Sequence, residues 1–510
     1  MDSHSHRTFA TAAARLEEPV RASRWSSNLA QDQFPVFDPA TDRTIAMIQG
    51  SGVVETDAAV SAAKTAFERD WRWRSVAERC RLLHEAARVI REHADELAQL
   101  TAAQTGMLFS ESRNIDVDQC ASAFRYFGSA SVAMPNGFAD GGSYHDHLLA
   151  EPYGVVGVIT PTPWPLKYIG AKLAPALVAG NTVVLKPSCG SSLVVAHLIE
   201  LIAPIFPSGV LQLLLGKGET VGRTLVEHPL VSKVSFTGDT VVGETILHMA
   251  ADKIMPTIMQ LGSRNTIIVF DDADLVQALR AILEGAYSNH GETRTGLPRV
   301  LLQRNIHDRI VAQLVRAVPR LKVGDGMLAG THAGPMSSRE RQQLALQQIT
   351  AACAAGARIA AQAPVPKTAP LRDGYFVPPT VLVDVRPEMS IVRETIYGPI
   401  ACVMPFNSAD EAVAIANDTR YGLMAAIFTK NNAQATQLSR RLEVGAVYLN
   451  NFQRFGNTAM PVNGIKATGY GCEERSLETL REYTRQRVVR MPTQTENTHY
   501  WSVVDEILAG

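Results

Sequence analysis

A short loop near the middle of the chain carries three side chains that could do chemistry. His290, Glu292 and Arg294 occupy alternate positions within residues 288–299. A histidine can act as an acid or base near neutral pH, although a lone histidine in a packed loop favours a structural hydrogen bond. Two interpretations of the charges stay open. Either Glu292 and Arg294 pair with each other or with neighbours and neutralise a closed pocket, or Arg294 binds a carboxylate or phosphate.

The elements around this loop alternate between strands and helices. Residues 57–105 carry helical periodicity, and the alanine-rich stretch 351–370 predicts a helix followed by a surface loop. Continuous apolar runs separated by helices are typical of parallel strands buried on both faces. Two series of such runs predict an α/β fold with two doubly wound lobes. The runs are 155–159, 182–185, 210–215 and 233–236, followed by 266–270, 300–302, 400–404 and 446–449.

Composition narrows the range of partners. The chain has 510 residues, of which 46% are hydrophobic and 19% charged, and this is enough apolar material for two or three domains. A net charge of -1 and a pI near 6.9 provide no basic surface for nucleic acid. No apolar run approaches the roughly 18 to 20 residues that cross a bilayer. We therefore expect neither a nucleic-acid nor a membrane partner.

The cysteines and the N-terminus suggest a compartment. The six cysteines are scattered, without a CxxC motif or the cysteine and histidine spacing of a metal site. This pattern predicts reduced thiols, a cytoplasmic location and no metal cofactor. Residues 1–34 are polar and contain acidic residues, which argues against a transit peptide and predicts a flexible arm.

A set of longer motifs links most of the chain to a known family. The motifs are Lys172–Leu177, Ala179–Ser188, Phe236–Gly238, Gly374–Thr380, Tyr397–Pro399, Ala416–Asn417 and Tyr421–Leu423. Any one motif could arise by chance, but the set could not. From Phe37 to Arg485 the chain resembles the aldehyde dehydrogenase superfamily, in which these motifs recur in the same order and at the same spacing.

The resemblance implies a domain organisation. Residues 35–139 and 156–258 would form a nucleotide-binding, Rossmann-like lobe, and residues 259–482 a catalytic-type lobe. Residues 140–155 and 483–510 would form a small β oligomerisation element. The resemblance therefore implies a homo-oligomer, either a dimer or a tetramer.

The catalytic positions of the family hold residues that cannot do the family's chemistry. The resemblance implies a cysteine that adds to the aldehyde carbonyl to form a thiohemiacetal, yet that position is Arg294, whose protonated guanidinium has no lone pair for the attack. The general base is replaced by Gln260, which cannot take up a proton. The asparagine that donates to the oxyanion is replaced by Pro163, which has neither a side-chain donor nor an N–H. Losing one oxyanion donor alone lowers the rate by roughly 10²- to 10³-fold.

The cofactor positions are altered in a similar way. Three residues match the family's nucleotide site: Lys186, Gly238 and Gly243. Three others depart from it: Cys189 and Thr395 replace ribose-binding acids, and Asp239 replaces a serine. An aspartate before a helix would repel a diphosphate, and its favoured role is an N-cap. The loss of the acid at Cys189 could instead admit a 2′-phosphate, so both NAD and NADP stay open as cofactors.

Three functional hypotheses follow from these substitutions. The favoured one is a pseudoenzyme that acts as a scaffold, a regulatory subunit or a hetero-oligomer partner of an active homologue. The second is a non-redox enzyme that reuses the substrate funnel for an acidic substrate, with Arg294, Glu292 and His290 in new roles. The third is an NAD(P)-dependent oxidoreductase that transfers hydride without a thiohemiacetal.

Overall fold

The described residues form 20 strands and 17 α-helices, and the apolar runs predicted from the sequence form strands in the same order along the chain. The computed structural model describes residues 33–130, 137–140, 144–395, 397–452, 460–472, 476–493 and 503–509. Most of the predicted arm, residues 1–34, lies outside this range, since the described chain begins at Gln33. The strands are β1 Gln33–Asp38, β2 Arg43–Gln49, β3 Gly137–Asp140, β4 Tyr144–Pro152, β5 Val155–Thr160, β6 Thr182–Pro187, β7 Leu211–Leu213, β8 Val231–Thr237, β9 Thr257–Gln260, β10 Thr266–Val269, β11 Arg299–Gln303, β12 Arg358–Gln362, β13 Thr380–Val383, β14 Ile400–Phe406, β15 Tyr421–Gly422, β16 Met424–Phe428, β17 Ala446–Leu449, β18 Ile465–Lys466, β19 Gly469–Tyr470 and β20 Thr484–Pro492.

The helices fill the intervals between the strands. They are α1 Val53–Arg69, α2 Val76–Glu92, α3 Ala94–Thr105, α4 Phe109–Glu111, α5 Asp118–Ala130, α6 Pro165–Val178, α7 Ser192–Ile202, α8 Arg223–Glu227, α9 Thr240–Ala251, α10 Leu275–Tyr287, α11 Arg304–Ala317, α12 Arg339–Ala354, α13 Ser390–Arg393, α14 Ala409–Asn417, α15 Asn432–Ser439, α16 Leu477–Glu482 and α17 Val503–Ala509. The periodic segment 57–105 forms three of them, with a break at His93 between α2 and α3. No helix in the described ranges is long and apolar enough to cross a membrane.

The first lobe is built on a six-stranded sheet. Its order is β19-β9-β8-β5-β6-β7, and all neighbours are parallel except β19, which runs antiparallel to β9. Every residue of β5 and β6 is buried, because helices cover both faces of a parallel sheet. The four apolar runs predicted in the first series all form strands of this sheet.

The second lobe has a seven-stranded sheet in the order β12-β13-β14-β11-β10-β16-β17. The second series of predicted strands is confirmed in it, with β10 at the crossover between β11 and β16. The expected surface loop after the alanine-rich helix is wrong in part. Residues Arg358–Gln362 form the edge strand β12, antiparallel to β13, so the sheet is mixed. Small alanine side chains give little β-signal, and pairing with β13 decides the conformation.

A separate three-stranded sheet has the order β20-β4-β3. β20 pairs with β4 in antiparallel register from Thr484 opposite Pro152 to Pro492 opposite Tyr144. Strands β4 and β20 fall within the segments predicted as an oligomerisation element, whereas β3 lies outside them except for Asp140. The predicted boundaries at residues 155/156 and 258/259 fall inside β5 and β9, and the division into domains stays a prediction.

Candidate functional site

The carboxyl ends of β5, β6 and β8 open onto a cleft of about 450 Å³. Strand ends are where ligands bind in open α/β sheets. Six of the residues singled out from the sequence line this cleft. They are Pro163, Lys186, Cys189, Gly238, Asp239 and Arg294. The structure therefore brings two altered catalytic positions, Pro163 and Arg294, and two altered cofactor positions, Cys189 and Asp239, to one cavity.

Arg294 lines the cleft and binds Gln260. Its Nη1 donates a hydrogen bond to Gln260 Oε1 at 2.7 Å, and Gln260 Nε2 donates to the Gly471 carbonyl at 2.8 Å. Gln260 is fully buried at the end of β9, so its amide is held with a fixed orientation. The residues at the expected nucleophile and base positions thus form a hydrogen-bonded pair of their own.

The backbone of Arg294 is anchored to the segment that precedes β10. The Arg294 carbonyl accepts hydrogen bonds from Ser263 Oγ at 2.5 Å and from Asn265 Nδ2 at 2.8 Å. Asn265 Nδ2 also donates to the Gly296 carbonyl at 2.8 Å. These contacts fix the loop on both sides of Arg294 and hold its side chain, which is 6% exposed, at the cleft wall.

Glu292 is a buried carboxylate with a complete set of donors. Its oxygens accept from His290 Nε2 at 3.0 Å, from the Ser337 amide at 3.0 Å and from Ser337 Oγ at 3.0 Å. Burial alone would raise its pKa, but the His290 and Ser337 hydrogen bonds and the charge of Arg341 lower the pKa of Glu292 below its usual value. An ionised carboxylate only accepts, so His290 Nε2 carries the proton in this contact. Glu292 therefore pairs with neighbours rather than with Arg294.

The loop that carries these residues has an unusual backbone. Asn289, His290 and Gly291 are consecutive residues with φ of 48°, 43° and 74°. A Cβ at Gly291 would lie 2.0 Å from the Gly398 carbonyl oxygen, so this position requires glycine. The Glu111 carboxylate accepts from Ser288 Oγ at 2.8 Å and from the Asn289 amide at 3.0 Å. His290 is 3% exposed and does not line the cleft, which fits the structural role rather than acid–base chemistry.

The loop containing Pro163 is fixed by a carboxylate that the sequence analysis missed. Trp164 has φ of 55°, and α6 begins directly after it. Asp116, which is fully buried in a π-helical turn at Ser112–Val117, accepts from the Leu166 amide at 3.2 Å and the Lys167 amide at 2.9 Å. Burial raises the pKa of Asp116 to about 7, although these hydrogen bonds lower it. No local motif distinguishes this aspartate, because its partners lie about 50 positions away.

Lys186 and Cys189 line the same cleft at the end of β6. Lys186 is 4% exposed, its Nζ donates to the Pro187 carbonyl at 3.1 Å, and burial lowers its pKa. Cys189 Sγ donates to the Gly216 carbonyl at 3.3 Å. Neither residue offers a carboxylate that could accept a hydrogen bond from a ribose hydroxyl.

Asp239 stands immediately before α9, where the sequence predicts an N-cap. The position is correct, but the expected role is wrong, since the side chain accepts no capping hydrogen bond. Its carboxylate instead binds Arg341 of α12, with Nη2 3.0 Å from Oδ2. A long-range guanidinium has replaced the local amides as its partner. Close packing explains the two glycines nearby, because a Cβ at Gly238 would lie 2.4 Å from the Phe236 ring and a Cβ at Gly243 2.3 Å from Leu261 Cδ2.

Comparison with known proteins matches this architecture over almost the whole chain. The model of the aldehyde dehydrogenase family matches residues 25–489. The chain is 38% identical over 496 residues to an aldehyde dehydrogenase of Monascus ruber, covering 97% of this chain and 98% of that protein. It is 33% identical over 459 residues to the chloroplastic betaine aldehyde dehydrogenase of Beta vulgaris, covering 88% and 91%. The crystal structure of betaine aldehyde dehydrogenase from Staphylococcus aureus in complex with NAD⁺ superimposes with a TM-score of 0.90 at 31% identity, covering 94% of this chain and 95% of that one.

The chain belongs to the aldehyde dehydrogenase family.

Within this aldehyde dehydrogenase family member, Thr395 lies apart from the main cleft. It lines an adjoining cavity of about 360 Å³, together with Asp239, Arg341 and Tyr397. Its Oγ1 donates to the Ser263 carbonyl at 3.4 Å. The described residues contain no group of three or more histidine, cysteine or acidic side chains arranged to hold a metal ion.

Two residues of this family member that shape the site, Arg341 and Ser337, were not found from the sequence. They line the cleft together with Tyr397, and Arg341 lies over the Tyr397 ring with its Cζ 4.6 Å from the centroid. Burial raises the pKa of Tyr397 and keeps its hydroxyl neutral. Only the Tyr397–Pro399 motif gave a local signal, since the partners of Arg341 and Ser337 are distant in sequence.

The cofactor half of the cleft does not fit the diphosphate of a nicotinamide dinucleotide. The Asp239 carboxylate already pairs with the Arg341 guanidinium next to the N-terminus of α9, and the positions at which the resemblance implies ribose-binding acids hold Cys189 and Thr395. A negative charge at this helix end opposes a second anion. We therefore assign no chemical step to a bound nicotinamide.

Proposed function

We propose that this aldehyde dehydrogenase family member does not oxidise aldehydes through a thiol and acts as a scaffold, regulatory or partner subunit. The observation that carries the proposal is the 2.7 Å hydrogen bond from Arg294 Nη1 to Gln260 Oε1. Neither side chain can attack a carbonyl or remove a proton at physiological pH. Pro163, which also lines the cleft, cannot donate to an oxyanion.

Two cysteines lie near the site, Cys189 and Cys472, and neither is placed as the family's nucleophile would be. Cys189 lines the cleft, where its Sγ donates to the Gly216 carbonyl. Cys472 follows Gly471, the partner of Gln260, but it is buried, and burial raises the pKa of its thiol. A raised pKa leaves less of the reactive thiolate. The proposed loss of thiol chemistry therefore takes in Cys189 and Cys472 as well as the position of Arg294.

Steady-state oxidation assays test this proposal. Purified protein is incubated with NAD⁺ or NADP⁺ and a series of aldehydes that includes betaine aldehyde, and reduced nicotinamide is followed by absorbance. We expect no rate above the protein-free blank, and the same result for Cys189→Ser and Cys472→Ser. Oxidation by the wild type that disappears in either cysteine variant would mean that a thiol mechanism survives.

A second candidate function is a non-redox reaction on an acidic substrate. It is favoured by the three cationic side chains that line one cleft, Lys186, Arg294 and Arg341. Arginine binds carboxylates and phosphates through paired donors. A screen of phosphate esters and carboxylic acids without nicotinamide tests this candidate. It requires an activity that Arg294→Ala abolishes and that Arg294→Lys restores only in part.

The third candidate, direct hydride transfer between a bound substrate and NAD(P)⁺ or NAD(P)H without a thiohemiacetal, rests on the family relationship. The related Staphylococcus aureus enzyme was crystallised with NAD⁺. Calorimetric titration with NAD⁺, NADH, NADP⁺ and NADPH separates this candidate from the others. Micromolar binding would favour it, whereas no heat at millimolar nucleotide would exclude it.

The role of a partner subunit includes an oligomer, which is either a homo-oligomer or a hetero-oligomer with an active homologue. The β20-β4-β3 sheet supports this part of the proposal, because most side chains of β20 are exposed on a nine-residue strand with one unpaired edge among the described residues. Light scattering tests the homo-oligomer, and co-purification with a differently tagged active homologue tests the hetero-oligomer. A cytoplasmic location, suggested by six cysteines that form no disulfide among the described residues, is tested by cell fractionation.

A further inference from the structure

An ion pair joins the two lobes at the rim of the cleft. Arg341, from α12 of the second lobe, places its Nη2 3.0 Å from Oδ2 and 3.4 Å from Oδ1 of Asp239, which precedes α9 of the first lobe. The guanidinium also stacks on Tyr397, with Cζ 4.6 Å from the ring centroid. The cation is thus held in place by an aromatic ring below it and a carboxylate beside it.

The Asp239 carboxylate interacts with Arg341 in the absence of any capping contact. Its side chain accepts no hydrogen bond from the first amides of α9, although it occupies the N-cap position. A helix N-terminus attracts anions, and a guanidinium matches the geometry of a phosphate. Both groups that would attract a phosphate therefore face a carboxylate from the chain itself.

The ion pair lies where two cavities adjoin. The cleft of about 450 Å³ and the adjoining cavity of about 360 Å³ share Asp239, Arg341, Tyr397 and Ser338 as lining residues. Lys186 lines only the larger cavity, and Thr395 only the smaller. Both members of the ion pair therefore line either cavity that an anionic ligand would enter.

We propose that the Asp239–Arg341 ion pair is an autoinhibitory clasp that excludes ligands carrying a diphosphate, such as nucleoside diphosphates, from the N-terminus of α9. The Asp239 carboxylate pairs with Arg341 and repels the incoming anion at the place where the two cavities adjoin. Removal of the Asp239 charge frees Arg341 and the helix end to bind a diphosphate. This inference goes beyond the proposed loss of thiol chemistry, because it concerns Asp239 and Arg341 and not the positions of the nucleophile and base.

Calorimetric titration with ADP tests the clasp. Asp239→Asn removes the charge with little change in size, and asparagine remains a good N-cap, so the helix is retained. Freed charge-assisted hydrogen bonds to a phosphate predict an affinity for ADP at least about tenfold higher than that of the wild type. Asp239→Ser is expected to behave in the same way. Arg341→Gln, which opens the clasp but removes the cation, is expected to show no such gain.

Glu244→Gln is the matched control. Glu244 lies on the same helix and also pairs with an arginine of the second lobe, since Arg420 Nη2 is 2.8 Å from its Oε1, but it lines neither cavity. Its ADP affinity should equal that of the wild type. Equal affinities of Asp239→Asn and wild type, or an equal gain in Glu244→Gln, would overturn the clasp. Aldehyde oxidation by the wild type would contradict only the proposed function, because the ADP comparison does not depend on turnover.

Discussion

Replacing Glu292 with glutamine tests whether this residue holds the site together or serves chemistry. The Glu292 carboxylate is fully buried and accepts three hydrogen bonds, two of them from Ser337 and one from His290. A glutamine keeps one acceptor oxygen and turns an NH₂ group toward donors. With its oxygen in place of Oε2, glutamine can keep the bonds from His290 and from the Ser337 amide, but its NH₂ group must donate to Ser337 Oγ, and the negative charge is lost.

The size of the effect follows from those contacts. Hydrogen bonds to charged groups contribute about 1.5–3 kcal/mol each, and all three of these bonds lose their charged acceptor in the variant. Because glutamine preserves part of the network, we expect Glu292→Gln to lower the free energy of unfolding by about 2–4 kcal/mol. Guanidinium unfolding followed by tryptophan fluorescence, at one fixed protein concentration, measures this change.

The pH dependence gives an independent check on Glu292. Its pKa in the folded protein is lowered from the usual value of 4.5, so its contribution to stability is fully present above that pH. The contribution is lost as the pH falls through the lowered pKa, and the difference between wild type and Glu292→Gln should shrink there. The control is Glu340→Gln, which alters an exposed carboxylate three residues after Ser337. A change at Glu292 no larger than that at Glu340, within about 0.5 kcal/mol, would refute the structural role.

Three other substitutions test the supports of the site. Gly243→Ala should lower the free energy of unfolding by about 1–3 kcal/mol, because its Cβ would lie 2.3 Å from Leu261 Cδ2. Gly218→Ala is the control and should leave stability unchanged, because no atom lies within 4 Å of its Cβ. Thermal unfolding compares the two variants. Asp116 has a pKa raised from 3.8 to about 7, so its contribution to stability falls as the pH rises between these values, and Asp116→Asn should flatten that part of the stability profile; an unchanged slope would argue against it. Glu111→Ala removes the acceptor of the Ser288 hydroxyl and the Asn289 amide and should cost about 1–3 kcal/mol in guanidinium unfolding; no loss would mean that the loop is held elsewhere.

The sheets were largely predictable from sequence. Runs such as Val155–Ile159 and Thr182–Leu185 are apolar and continuous, and burial on both faces leaves such segments few alternatives to parallel strands. The strand Arg358–Gln362 was not predictable from its own residues. It is alanine-rich and depends on antiparallel pairing with β13, a contact that the local sequence does not encode.

The positions of the site were predictable, but the partners of its side chains were not. The sequence located Asp239 before a helix and Arg294 in its loop. Their partners, Arg341 and Gln260, lie 102 and 34 positions away. Local propensity favoured a cap at Asp239, but in the structure its carboxylate forms an ion pair with Arg341 of the other lobe. Partners of this kind are fixed by tertiary packing, which a single sequence does not reveal.

A single-turnover measurement tests the central claim most directly. Wild-type protein at high concentration is mixed with excess NAD⁺ and an aldehyde, and reduced nicotinamide is counted per subunit in the first turnover. Arg294 stands where the family relationship implies the nucleophile, so we predict no burst of reduced nicotinamide. The first turnover is measured because a slow steady-state rate would be hard to detect. A burst approaching one equivalent per subunit would contradict the claim that this family member has lost aldehyde oxidation through a thiol.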